Sequence, residues 1–104
     1  MATKFSLTPN PTFKRDVAIP VPGGKTASVS FTFKHKTRDE FKSFMDNIAG
    51  REDVDIIRDI AAGWGLDDDF SDENIEALTQ NYLGSGLAIV DAYVSELSGA
   101  RKGN

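Results

Sequence analysis

The chain has 104 residues, of which 39% are hydrophobic and 27% are charged, with no cysteine and a single histidine, His35. A chain of this length supports one hydrophobic core, so we expect a single domain over residues 1–104. The composition excludes a disulfide framework, a thiol nucleophile and a thiolate metal site. No signal-peptide pattern or run of about 18 apolar residues occurs, so we expect a soluble protein made in the cytoplasm, with no membrane partner.

The net charge of −4 hides a contrast between two halves of the chain. Residues 1–38 contain seven Lys or Arg and one Asp, a charge of +6, whereas residues 39–99 contain three Lys or Arg and fifteen Asp or Glu, a charge of −12. Opposite charges attract across an interface. We therefore predict that the basic half of one copy faces the acidic half of the next in a head-to-tail oligomer.

Residues 1–36 are predicted to form an arm and a β-hairpin. Apolar and polar residues alternate over residues 12–21 and again over residues 29–33, which is the period of strands with one buried face. The intervening Pro22-Gly23-Gly24-Lys25 predicts the turn. A two-stranded ribbon is only marginally stable alone, so its apolar face should pack on the helices that follow. Residues 1–11 are predicted to be an arm or a short edge strand.

Residues 37–98 are predicted to form three or four short helices. Thr37 and Glu40 have the spacing of a capping box at the first helix start, which precedes an apolar stripe closed by Gly50. A second helical stretch is predicted to end at Gly63 and Gly65. The predicted buried positions of these two helices are Phe41, Phe44, Met45 and Ile48 in the first, and Val54, Ile57, Ala61 and Trp64 in the second.

The third and fourth helices are predicted on either side of Gly84-Ser85-Gly86. Ser71 is a predicted N-cap, and Phe70 against Ile75 has the spacing of a hydrophobic staple. Residues 99–104 are a polar tail. The predicted fold class is therefore α+β, an N-terminal antiparallel hairpin packed on a small helical bundle. The predicted buried positions are Ile75, Leu78 and Tyr82 in the third helix, and Leu87, Val90, Val94 and Leu97 in the fourth.

Two motif-like segments do not support cofactor or metal chemistry. Gly24-Lys25-Thr26 matches the end of a phosphate-binding loop, but Ile19 occupies the position of the first glycine of that motif. The segments on both sides are predicted to be strands, whereas the motif leads from a strand into a helix. Asp67-Asp68-Asp69 begins an acidic run like a calcium loop, but Asp72 stands where that loop requires glycine. We predict no cofactor, no metal and no catalytic site.

Two groups of residues are candidates for partner binding. The first group consists of basic residues along the predicted hairpin. The second consists of aromatic residues near the acidic run, which serve either as core residues or as contacts with a partner. Nucleic-acid binding by the basic hairpin is a weaker alternative, because the acidic half repels phosphates. The candidate partner-binding residues are Lys14, Arg15, Lys34, Lys36, Trp64, Asp67, Asp68, Asp69, Phe70 and Tyr82.

Several short segments occur in an order that resembles the tail assembly chaperones of long-tailed bacteriophages. They include Gly63-Trp64-Gly65-Leu66, Phe70-Ser71-Asp72-Glu73-Asn74-Ile75, Asn81-Tyr82-Leu83-Gly84 and Ala88-Ile89-Val90-Asp91-Ala92-Tyr93. The opening Lys4-Phe5-Ser6-Leu7 and the strand residues Val29-Ser30-Phe31-Thr32-Phe33 are similar as well. The resemblance covers about residues 4–101. Leu83 departs from it, because proline often follows the tyrosine-containing turn in the family.

The resemblance implies a non-enzymatic assembly factor. Such a protein binds the tape measure protein, recruits major tail tube subunits in the host cell cytoplasm, and is absent from the mature virion. In this family a −1 programmed frameshift also yields an extended form, and Lys102-Gly103-Asn104 is compatible with a slippery codon run. The alternative is a structural tail or connector subunit of the virion.

Overall fold

The computed structural model describes residues 5–99, and its first elements are the predicted hairpin. Strand β1 spans Thr12–Val21 and pairs antiparallel with β2, Lys25–Lys34. The turn depends on Gly23 and Gly24, whose φ angles are +95° and +75°, values that side-chain-bearing residues rarely adopt. The arm predicted over residues 1–11 lies partly outside the described residues.

A third strand replaces the end of the second predicted helix. Helix α2 spans Asp53–Ile60, and β3, Ala61–Trp64, then pairs antiparallel with β2 to give the strand order β1-β2-β3. The prediction that the helix continues to Trp64 is wrong. Gly63 is a weak helix former, and the extended chain satisfies the edge of β2, with Gly65 N donating to Ser30 O.

Helix α1 begins as predicted but ends early. It spans Arg38–Asp46, and Thr37 and Glu40 form the complete capping box. The prediction that Gly50 closes this helix is wrong, because Asn47 already caps it and its amide side chain donates to Ser43 O. Met45 is 40% exposed, so it is not part of the buried stripe.

Helices α3 and α4 span Asp72–Asn81 and Ser85–Ser98. Ser71 caps α3 as predicted, accepting a hydrogen bond from Asn74 N. The predicted buried face of α4 is wrong at Leu87, which is 69% exposed; the fully buried positions are instead Ser85, Ile89 and Tyr93. The prediction for Tyr82 is also wrong, since it is 39% exposed.

The core lies between one face of the sheet and the helices. Alternate residues of β1 and β2 face inward, and Tyr93 of α4 lies 5.2 Å from Phe33 between ring centroids. The α+β class is thereby confirmed. The buried hydrophobic residues are Val17, Ile19, Phe31, Phe33, Phe44, Ile56, Ile57, Ile60, Ala61, Ile75, Ile89 and Tyr93.

The opposite face of the sheet and one of its edges are open. Within residues 5–99, β1 pairs with one strand, β2, so its outer edge has no neighbouring strand. Lys14, Asp16 and Pro20 are exposed on this strand. Proline is tolerated at such an edge because it has no N–H to contribute to a further strand.

Candidate partner-binding surface

Lys36, a candidate residue after β2, forms an ion pair within the chain. Its Nζ lies 3.0 Å from Asp59 Oδ1, and Arg51 Nη1 lies 3.0 Å from Asp59 Oδ2. Burial by itself raises the pKa of Asp59, but the hydrogen bonds from Arg51 and Lys36 hold this pKa below its ordinary value. Asp59 is therefore a charged link between α2 and the segments around it.

Arg15 and Lys34 also contact the helices. Arg15 Nη1 lies 3.0 Å from Glu96 Oε1 and donates to Ala92 O at 3.2 Å, which joins β1 to α4. Lys34 Nζ donates to Arg58 O at 3.0 Å, at the end of β2. Part of the attraction between the basic and acidic halves is thus satisfied inside one chain.

Lys14 differs from the other basic candidates of the hairpin. Its side chain is exposed and has no hydrogen-bond or ion-pair partner within the described residues 5–99. Its position on β1 places it on the open face of the sheet, opposite Thr32 in the register of the hairpin. Lys14 is therefore a cation that can contact another molecule without first losing an internal contact.

The acidic run forms a loop around Trp64. The indole Nε1 donates to Asp68 O at 2.8 Å, and Asn74 Nδ2 donates to Asp69 O at 2.8 Å. Trp64 also packs edge-on against Phe70, with ring centroids 5.1 Å apart. These contacts hold the loop backbone while the side chains of residues 67–69 remain exposed.

Phe70 is held from a second side by Arg58. The guanidinium carbon lies 5.4 Å from the Phe70 ring centroid, and Nε forms an ion pair with Asp72 Oδ1 at 3.0 Å. Leu66, at the start of the loop, is 39% exposed. The structure therefore brings Trp64, Phe70 and residues 67–69 together as one acidic loop surface bordered by an exposed leucine.

Tyr82 belongs to a different surface, at the turn between α3 and α4. Leu83 is 90% exposed beside it, and Leu87 lies in the first turn of α4. A Cβ atom at Gly84 would lie 3.1 Å from Pro20 Cγ, so this turn rests against the end of β1. We call Pro20, Tyr82, Leu83 and Leu87 the apolar patch.

Leu83 and Leu87 are surface residues that the sequence did not identify. Helix α4 is apolar on several sides, with Ala88, Val90 and Ala92 beside its buried positions. The spacing of Leu87, Val90 and Val94 therefore fits one face of a helix as well as the spacing of the residues that are actually buried. The sequence does contain one indication that Leu83 is exposed. Leu83 lies outside the apolar face of α3 and immediately before a glycine.

Residues 5–99 contain neither a candidate metal site nor a candidate membrane-spanning helix. In this part of the chain, no group of three or more His, Asp or Glu side chains is placed to hold a metal ion. No helix within the same range combines the length and apolarity needed to cross a membrane. The candidate surfaces consist instead of aromatic, aliphatic and charged side chains.

The fold and these surfaces define a small α+β domain whose candidate site is built from groups suited to protein contacts. The family model described as phage tail assembly chaperone matches residues 1–104. The chain therefore belongs to the phage tail assembly chaperone family. No curated protein and no solved structure matches it.

Proposed function

We propose that this chaperone binds the tape measure protein, prevents its long apolar helices from aggregating, and recruits tail tube subunits. Family membership over the whole chain is the observation that carries the proposal. It acts in the host cell cytoplasm and leaves before the virion matures. An elongated client is well served by a small domain present in many copies, because repeated weak contacts combine into avidity.

The acidic loop surface is the proposed contact with the client. Trp64 and Phe70 are packed against each other and against the fold, so they lose little conformational freedom on binding. Leu66 provides exposed apolar area beside the exposed carboxylates of residues 67–69. This combination fits an amphipathic helix that carries an apolar stripe flanked by basic residues.

We also propose that copies assemble head to tail around the client. Arg15, Lys34 and Lys36 already have partners in their own chain, which leaves Lys14 on β1 as the proposed basic contact with a neighbouring acidic surface. A heterologous contact of this kind repeats without having to close into a ring. Sedimentation at low and high salt tests its electrostatic part, since assembly that ignores ionic strength contradicts it.

A frameshift-extended form is the proposed link to the tube protein. The codons for Lys102-Gly103-Asn104 are compatible with slippage. Mass spectrometry of the proteins expressed from the gene would detect a longer product that shares the peptides of this chain. Absence of such a product in infected cells contradicts this part of the proposal and leaves client binding to be judged separately.

Co-expression with the tape measure protein tests the main proposal. The client should be soluble and co-purify when this chain is present, and aggregate when it is absent. Replacing Asp67, Asp68 and Asp69 with asparagine should weaken co-purification. The matched control removes three exposed carboxylates elsewhere, by Asp39→Asn, Glu52→Gln and Asp55→Asn, and should not weaken it. A client that stays insoluble with the wild-type chain contradicts chaperone activity.

The protein content of purified phage particles distinguishes a chaperone from a structural subunit. A chaperone that leaves before maturation is missing from the virion, whereas a tail or connector subunit is present there in stoichiometric amount. Quantitative mass spectrometry of purified particles measures this directly. Stoichiometric recovery of this chain contradicts the proposed role.

A further inference from the structure

Within the described residues 5–99, no segment covers the apolar patch. Leu83 and Leu87 are 90% and 69% exposed, and Tyr82 adds part of its ring. Large apolar side chains grouped on the surface of a small domain mark a contact site. The patch lies at the turn end of the hairpin, because Gly84 contacts Pro20.

A matching apolar segment lies in the arm before β1. Phe5 and Leu7 are 85% and 91% exposed, so neither is used by the fold of its own chain. They are two residues apart, and residues at this spacing project to the same side of an extended chain. The arm thus presents two apolar side chains that have no apolar surface to cover within residues 5–99.

The arm begins at the opposite end of β1 from the patch. His35 N donates to Pro11 O at 2.9 Å, so the chain still follows the strand ladder at Pro11. From Pro11 to Pro20 is nine residues of strand, roughly 30 Å. Leu7 is four residues from Pro11, at most about 14 Å away. These distances separate Leu7 from Pro20, and Leu7 and Leu83 are 91% and 90% exposed, so the arm does not cover the patch of its own chain.

The charges near the two surfaces are also complementary. A Cβ atom at Gly86 would lie 3.0 Å from Asp53 Oδ2, which places a carboxylate beside the patch. The Asp53 carboxylate is exposed and has no hydrogen-bond or ion-pair partner within residues 5–99. In the sequence, Lys4 directly precedes Phe5. A basic residue next to the apolar arm suits an acidic residue next to the patch.

We propose that the arm of one copy binds the apolar patch of a second copy, with Phe5 and Leu7 covering Leu83 and Leu87. This inference rests on the proposed self-assembly and adds an apolar contact to the proposed contact of Lys14. Donor and acceptor lie at opposite ends of β1, so each copy gives its arm to one neighbour and receives an arm from another. The contact is heterologous and propagates head to tail.

Cysteine crosslinking tests the contact directly, because the natural chain has no cysteine. Leu7→Cys in one protein and Leu87→Cys in a second protein, tagged to differ in gel mobility, should form a mixed disulfide when combined and oxidised. The matched control pairs Leu7→Cys with Met45→Cys, since Met45 is 40% exposed on α1. Equal crosslinking to both positions overturns the proposal.

A double substitution tests the energetic importance of the patch. Leu83→Ser with Leu87→Ser should raise the concentration at half-assembly by about tenfold or more in sedimentation, with unchanged circular dichroism. Met45→Ser should leave assembly unchanged. Wild-type assembly by the double variant overturns the proposal, and so does loss of client binding with assembly intact, which assigns the patch to the client.

A single chain carrying both Leu7→Cys and Leu87→Cys distinguishes arms donated between copies from arms folded back. It should form disulfide-linked multimers at high concentration and remain reduced when dilute. An intramolecular disulfide in dilute protein overturns the proposal. These measurements use no tape measure protein, so their failure is separate from failure of the client-binding experiment.

Discussion

The two sides of α4 both carry apolar residues, yet they have opposite environments. On one side, Ile89 and Tyr93 are fully buried, and the Tyr93 hydroxyl donates to Lys34 O at 2.8 Å. On the other side, Leu87 in the first turn is largely exposed. The buried side therefore holds the domain together, while the other side leaves apolar surface exposed. The difference shows that the apolar character of a residue does not by itself tell whether it stabilises the fold or lies on the surface.

Of the substitutions that test this comparison, truncation of Tyr93 is expected to have the largest effect on stability. Its ring lies against four phenylalanines, namely Phe13, Phe33, Phe41 and Phe44. Tyr93→Ala should lower the free energy of unfolding by about 3 to 5 kcal/mol, because it leaves a cavity among packed rings. Urea denaturation followed by circular dichroism measures the change. A loss below about 1 kcal/mol contradicts the stabilising role of the buried side of α4.

Removal of the Asp59 charge should have the next largest effect. Asp59→Asn leaves Lys36 and Arg51 without their carboxylate and should cost about 1 to 2 kcal/mol near pH 7. The pKa of Asp59 is depressed in the folded state, so its contribution is present above its unfolded pKa and is lost as pH falls through the folded value. Wild type and variant should therefore converge in stability in strong acid. A difference independent of pH contradicts the ion-pair explanation.

Loss of the Tyr93 hydroxyl should cost about 1 kcal/mol, the usual worth of one hydrogen bond. Burial raises the pKa of Tyr93, and the nearby carboxylates of Asp59 and Glu40 raise it further. A raised pKa stabilises the fold below the unfolded phenol pKa of about 10, and this stability is lost as pH rises above it. Tyr93→Phe should therefore be less sensitive to alkaline pH than wild type. Equal alkaline unfolding of the two proteins contradicts this expectation.

Replacement of Leu87 should have the smallest effect on folding. Leu87→Ser removes an exposed side chain and should change the free energy of unfolding by less than about 0.5 kcal/mol. The measurement is the same urea titration used for Tyr93. A loss of several kcal/mol would show that Leu87 is part of the core and would remove the contrast between the two sides of α4.

Much of the fold follows from local sequence signals. The alternation in β1 and β2, the glycine turn, and the caps at Thr37 and Ser71 each depend on nearby residues, and each was predicted correctly. β3 was not predicted, since it forms by pairing with a strand about thirty residues earlier in the chain. Local periodicity carries no information on such a long-range partner.

The surfaces were less predictable than the fold. Trp64 and Phe70 were correctly placed beside the acidic run, because all of these residues are close in sequence. The internal partners of Arg15 and Lys36 depend on tertiary packing and were not anticipated. The apolar patch was missed for the same reason, since exposure at Leu87 depends on which side of α4 meets the sheet.

The open outer edge of β1 creates a risk of aggregation when copies of the domain lie close together. Ten residues of unpaired strand edge are a template for uncontrolled sheet extension between molecules. Pro20 removes one donor from this edge, and the charges of Lys14 and Asp16 oppose close approach of another strand. In the proposed head-to-tail assembly, neighbouring copies could therefore lie close together without their sheets pairing into an irreversible aggregate.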